Sequence, residues 1–152
     1  MKRGGIGRQI ILVFTVVLIG YAAIFAFIQH RRVVKGPWAV NFTDESGAPV
    51  LIVNQPALGI RDVRIRFPDE QAPINAPQTM EFSQGRPVPF DVPYGKCVFL
   101  DAIFLPGTVA FEMFGHEIQL MPRTLTIDKA ARPWRIGDRI ELRKAAAENS
   151  PK

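Results

Sequence analysis

Cys97, His116 and Arg123 are the residues of this sequence whose types suit covalent catalysis: a thiolate nucleophile, an imidazole base and a guanidinium for a developing oxyanion. Their setting works against the combination. Cys97 opens the run CVFLDAIFL, Cys97 to Leu105, which is apolar on both parities and reads as a central strand covered on both faces. His116 falls in a predicted two-residue loop, Gly115-His116, at an exposed hairpin tip. A buried strand and a loop tip need not meet, and a lone cysteine in an apolar strand more commonly fills core space. Asp101, inside the same run, is a second candidate, because a carboxyl pushed up by apolar surroundings can act as a general acid. The competing reading sets it at a bulge or strand end, bonded to backbone N–H groups. No second carboxylate is spaced to form a working pair with it.

In its plan of one amino-terminal helix and a β-rich domain carrying Cys97, His116 and Arg123, the chain resembles the sortases. That resemblance implies a membrane-anchored transpeptidase. The chain departs from it in the motif: Cys97 stands in Gly95-Lys-Cys-Val-Phe rather than after Thr-Leu-x-Thr, and the histidine follows the cysteine. Length and plan are also similar to those of membrane-tethered haem chaperones of the cytochrome c maturation type, but their His-x-x-x-Tyr attachment motif is absent. With His30, His116 and one cysteine, the usual Cys/His zinc set cannot be built. Ser46, Ser83 and Ser150 lie outside any G-x-S-x-G setting, and no phosphate-binding glycine loop occurs. No catalytic residue, cofactor or metal is expected.

For a glycan- or peptide-binding module, Trp38, Trp134 and Tyr94 are the candidate stacking surfaces; the alternative is core or rim packing. Arg64 and Arg66 form a stripe that suits headgroups or an acidic partner, and equally a solvated strand face. Asn41-Phe42-Thr43 has the form of a glycosylation acceptor but lies in a predicted strand.

These residues must be positioned by an anchor and one domain. Ile10 to Ile28 carries no charge and, as a helix, is roughly 28 Å long, close to the ~30 Å hydrocarbon core. Gly20-Tyr21-Ala22 resembles a signal-peptide cleavage site, but the apolar run continues past it, so an uncleaved signal-anchor over 10–29 is expected. No ionisable residue interrupts it, which argues against an ion or proton path. His30 sits at its end, at headgroup level. Ala22 and Ala26 are a small-xxx-small pair open to a second helix.

The formal net charge is +5, yet Lys2, Arg3, Arg8, Arg31, Arg32 and Lys35 supply six of the 19 basic residues, leaving 13 against 14 acidic ones. Those six flank the span and read as headgroup contacts and topology signals; the near-neutral remainder argues against nucleic acid. The flanks tie in the positive-inside count. We expect the plasma membrane, specifically a bacterial inner membrane, with the β domain extracytoplasmic.

The expected organisation is a basic segment 1–9, the span 10–29, a tether 30–37, an all-β domain 38–143 and a flexible tail 144–152. The domain reads as an antiparallel sandwich or small barrel. Trp38–Thr43 and Val50–Asn54 flank a turn at Gly47. In Ile60–Phe67, Val63, Ile65 and Phe67 share one face and Arg64 and Arg66 the other. From Pro68 to Pro93, prolines at 68, 73, 77, 87, 89 and 93 exclude a central strand, leaving short edge strands at 79–82 and 88–92. The hairpin at Gly115-His116 is expected to set Phe111 opposite Leu120 and Met113 opposite Ile118. Residues 124–127 and 139–143 alternate, with a turn at 132–138 between them. The expected function is a non-catalytic accessory or scaffolding subunit of a larger membrane complex, touching lipid and other membrane subunits. A tethered ligand-binding module and the Cys97 transpeptidase are the alternatives.

Overall fold

The computed structural model describes residues 5–33, 35–73 and 77–144. It contains one helix, α1 (Gly5–Val33), and eleven strands: β1 (Ala39–Glu45), β2 (Ala48–Gln55), β3 (Ile60–Arg66), β4 (Gln78–Glu81), β5 (Phe90–Val92), β6 (Gly95–Leu100), β7 (Val109–Met113), β8 (His116–Leu120), β9 (Thr124–Ile127), β10 (Ala130–Pro133) and β11 (Arg139–Glu141).

α1 is longer than the apolar run at both ends. Gly5–Gln9 and His30–Val33 are helical, so His30 lies within the helix rather than at its end and the tether is shorter than expected. Gly5–Arg31 is long and apolar enough to span a membrane, and none of its most apolar window is buried by the domain. Thr15, its one hydroxyl on an aliphatic side chain, donates to Ile11 O at 2.8 Å, which satisfies it without a partner helix. Arg31 folds back over the Phe27 ring, 5.3 Å from its centroid.

The strands form two mostly antiparallel sheets, ordered β11-β3-β2-β1-β4 and β10-β9-β8-β7-β6-β5, packed into a sandwich. The exception to the expected antiparallel pattern is β11, which crosses from the second sheet and pairs parallel with β3, Ile140 opposite Ile65. Aromatic edges lock the sheets together, Phe42 to Phe111 at 6.4 Å and Phe42 to Tyr94 at 5.6 Å. Val63, Ile65 and Phe67 are buried, while Arg64 on the other face pairs with Glu45 and Asp62. The proline-bounded segments do form edge strands: β4 closes one sheet and β5 the other, where an unpaired N–H costs nothing. Residues 74–76 and 145–152 lie outside the described residues; Lys144 N bonds Asp69 Oδ2 at 3.0 Å.

Two local expectations are corrected. The run from Cys97 is not a central strand through Leu105: β6 ends at Leu100, lies second from the sheet edge, and leaves Phe99 exposed. Asp101 ends it, accepting from Ile103 N at 2.9 Å, while Asp101 N bonds Thr108 O to close the loop. The β7–β8 hairpin exists, but its turn is Phe114-Gly115, with φ of 52° and 81°, and Met113 faces His116 while Phe111 faces Ile118. Positive φ at both turn residues is a type I′ turn, whose twist matches the strands. Because the register moves by an even step, the apolar face survives and His116 is carried into it.

Candidate functional site

Two adjacent hairpin turns build a depression lined largely by polar side chains, at the end of the domain farthest from Trp38. One is Phe114-Gly115; the other, Asp128-Lys129, also has positive φ at both residues, 49° and 68°. The two hairpins are tied by one backbone and one side-chain bond, since Asp128 N donates to Glu117 O and Glu117 N to Asp128 Oδ1, both at 2.9 Å. This places Asp128 Oδ2 at 2.7 Å from His116 Nδ1. Phe67 flanks the imidazole, 6.1 Å between centroids. The depression, about 750 Å³, is lined by Lys96, Glu112, His116, Glu117, Asp128 and Lys129 among others.

Partial burial pushes the Asp128 carboxyl up, but the hydrogen bonds from His116 and Glu117 N, with the imidazole's charge, together outweigh it and hold the group below the ordinary aspartate range. A depressed carboxyl stabilises the fold above its unfolded value and loses that contribution as pH falls through the folded one. Asp128→Asn is therefore expected to lower stability by about 0.5–1 kcal/mol at neutral pH, a figure discounted for the half-exposed carboxylate. In urea titrations between pH 6 and pH 2.5 the gap from the wild type should close as the pH drops.

The catalytic candidates are not brought together. Cys97 is fully buried, its Sγ 3.4 Å from Phe99 O, and burial pushes its thiol up to about 11. It shares the core face with His116, but two strand spacings and two residues separate them, roughly 12 Å by sheet geometry. Arg123 is exposed in the β8–β9 turn, at the other end of β8 from His116. His116 itself is 8% exposed, which corrects its expected place at a solvent-facing tip. It is oriented by Asp128 as a base would be, and Cys97 does not stand beside it. Among the described residues no group of three or more His, Cys, Asp or Glu is arranged to hold a metal.

The aromatic candidates are also in the core or at its rim. Trp38 is fully buried, donates from Nε1 to Gly107 O at 2.7 Å and packs 5.4 Å from Trp134. Trp134 is half-buried, its Nε1 donating to Met121 O at 2.8 Å, and Tyr94 is buried. Trp38 and Tyr94 thus present no open stacking face. Asn41 sits in β1 between β2 and β4 with its Oδ1 buried. Ala22 and Ala26 are exposed on one face of α1, as are Arg8 and Arg31 along it; Lys35 is exposed after it. Arg32 lies within α1, and Lys2 and Arg3 lie outside the described residues.

The His116–Asp128 pair was not read from the sequence. Its one local signal was Asp128 just after the alternating run 124–127, a residue type that tolerates the positive φ of a tight turn. Compared with family models, curated proteins and solved structures, the chain matches none.

Proposed function

We propose that this chain is a non-catalytic accessory subunit of a larger membrane assembly, held in the plasma membrane of a bacterium by α1 with its sandwich on the extracytoplasmic side. The observation that carries this reading is a bare flank of the sandwich. The segment Ser83–Pro89, exposed at every position, joins β4 to β5, the edge strands of the two sheets. Val88 in that segment and Phe99 on β6, the strand paired with β5, are both exposed, Phe99 by 51%. An apolar pair framed by edge strands and an extended proline-rich chain suits another protein's surface. Ala22 and Ala26 offer the span a matching close approach to a neighbouring helix.

The test is co-purification of the full chain from native membranes in mild detergent, with Val88→Asp/Phe99→Asp as the comparison. The wild type is expected in a complex with a reproducible partner, and the double variant alone with an unchanged thermal transition, since both side chains are exposed. Recovery of the wild type only as a 17.0 kDa monomer sinks the reading.

A second reading, a tethered ligand-binding module, is favoured by the depression around His116 and Asp128. Its mixed lining of Lys96, Lys129, Glu112 and Glu117 suits a small polar ligand carrying both charges. It does not rest on the aromatic residues.

A further inference from the structure

The two ends of the sandwich differ in both charge and apolar exposure. The end that receives the chain from α1 carries Trp38, the loop after β6 and the turn before β11, because Trp38 Nε1 bonds Gly107 O and Trp38 stacks on Trp134. Ile103 and Phe104 tip the first of these segments, 63% and 58% exposed, and Ile136 tips the second, 72% exposed. Around them Arg61, Arg86, Arg123, Arg132 and Arg135 are exposed, and none belongs to an ion pair among the described residues. More carboxylates lie at the opposite end, among them Asp44, Glu45, Asp69, Glu70, Glu117 and Asp128, while Asp62, Glu81, Asp101 and Asp138 share the Trp38 end, where Asp62 pairs with Arg64 and Asp101 accepts from Ile103 N.

The distance from this end to the bilayer is bounded by the chain. Gln55 Nε2 donates to Gly36 O at 2.9 Å and to Pro37 O at 2.8 Å, so the backbone is fastened to the sandwich from Gly36 onward. Val33 ends α1, and three peptide steps reach at most about 11 Å. The 29 residues of α1 span roughly 43 Å, the thickness of a bilayer with its headgroups, so α1 ends where the headgroups do. The Trp38 end therefore stands at the lipid surface. Large apolar side chains on loop tips, ringed by arginines, are what an anionic interface takes up: the tips leave water while the guanidiniums meet phosphates.

We propose that the Trp38 end of the sandwich is a second membrane contact, seated on anionic lipid, with Ile103, Phe104 and Ile136 entering the headgroup–acyl boundary. Arg123 and Arg135 lie against the phosphates. The helix then fixes the position of the domain, and this seat fixes its tilt, which sets the direction in which the Val88/Phe99 flank and the His116 depression face. The inference needs α1 to be a span; it does not need the partner subunit.

The test uses the full chain in nanodiscs, labelled with a fluorophore at Phe104→Cys, at Ile136→Cys or, as the far-end control, at Lys129→Cys. Cys97 is fully buried, which keeps the labelling specific. Quenching by lipids carrying a nitroxide near the headgroup is compared with quenching by aqueous iodide, in phosphatidylcholine alone and with phosphatidylglycerol added. At positions 104 and 136 the lipid-to-iodide quenching ratio is expected to exceed that at 129 by about tenfold, and to rise further with phosphatidylglycerol. In Arg123→Gln/Arg135→Gln that further rise should be lost. Equal ratios at all three positions overturn the proposal. Protection that appears only in native membranes and not in the purified nanodisc overturns the lipid assignment in favour of a protein neighbour. Equal ratios in the two lipid compositions overturn the part given to the arginines.

Discussion

Trp38→Ala is expected to destabilise the sandwich by about 3–5 kcal/mol, the usual cost of emptying a large buried aromatic site. Trp38 has no exposed surface, closes the end of the core where the chain enters, and bonds through Nε1 to Gly107 O of the loop carrying Ile103 and Phe104. Against a total stability of about 5–15 kcal/mol, that loss leaves much of the domain unfolded at 37 °C. Trp38→Phe separates the two contributions. It keeps most of the apolar volume and leaves the buried Gly107 O without its donor, for an expected cost of about 1–3 kcal/mol. Urea unfolding of the full chain in detergent, followed by the fluorescence of Trp134, reads both variants. A cost under 1 kcal/mol for Trp38→Ala would mean that Trp38 does not close this end of the core.

Gly107→Ala should be nearly as damaging, by about 3 kcal/mol, for a different reason. A methyl on Gly107 would lie 1.8 Å from Asp101 O and 3.2 Å from Phe104 O, and both are backbone atoms that no rotamer change can move aside. Relief requires opening the loop that the Asp101 N to Thr108 O bond closes at 2.9 Å. Opening it moves Gly107 O away from Trp38 Nε1, so the two substitutions share one bond and should not add. A double-mutant cycle of Trp38→Phe with Gly107→Ala is expected to show a coupling of about 0.5–3 kcal/mol. Additive costs would mean that the loop and the indole are independent. Because the loop tips are the proposed lipid contacts, Gly107→Ala should also lower the quenching ratio at position 104 while leaving that at 129 unchanged.

Much of the architecture was legible in local pattern. The long apolar helix showed in an uninterrupted apolar run, the wet face of β3 in its alternating arginines, and the two edge strands in prolines that cannot serve a ladder. The turn at Gly47 was legible because only a residue tolerant of positive φ suits it, and Gly47 has a φ of 82°. The β7–β8 hairpin was legible as a hairpin but not in its register. Gly115-His116 and Phe114-Gly115 both put a glycine in a two-residue turn, and both keep the same residues on the apolar face. The candidate site depended on that choice. Only the Phe114-Gly115 turn makes His116 a strand residue facing inward, within reach of Asp128 on the neighbouring hairpin.

By itself, then, the sequence determined the helix, the β content, the edge positions and the near-neutral domain, because each follows from neighbours within one turn or one strand. Tertiary structure alone decided that Cys97 and His116 stay apart, that Trp38 is core, and that His116 meets Asp128. It also decided that apolar tips and arginines from separate loops collect at the end joined to the helix. These are pairings between residues far apart in the chain, selected by which strands share a sheet and by the core that must close between the sheets, and no local periodicity encodes them.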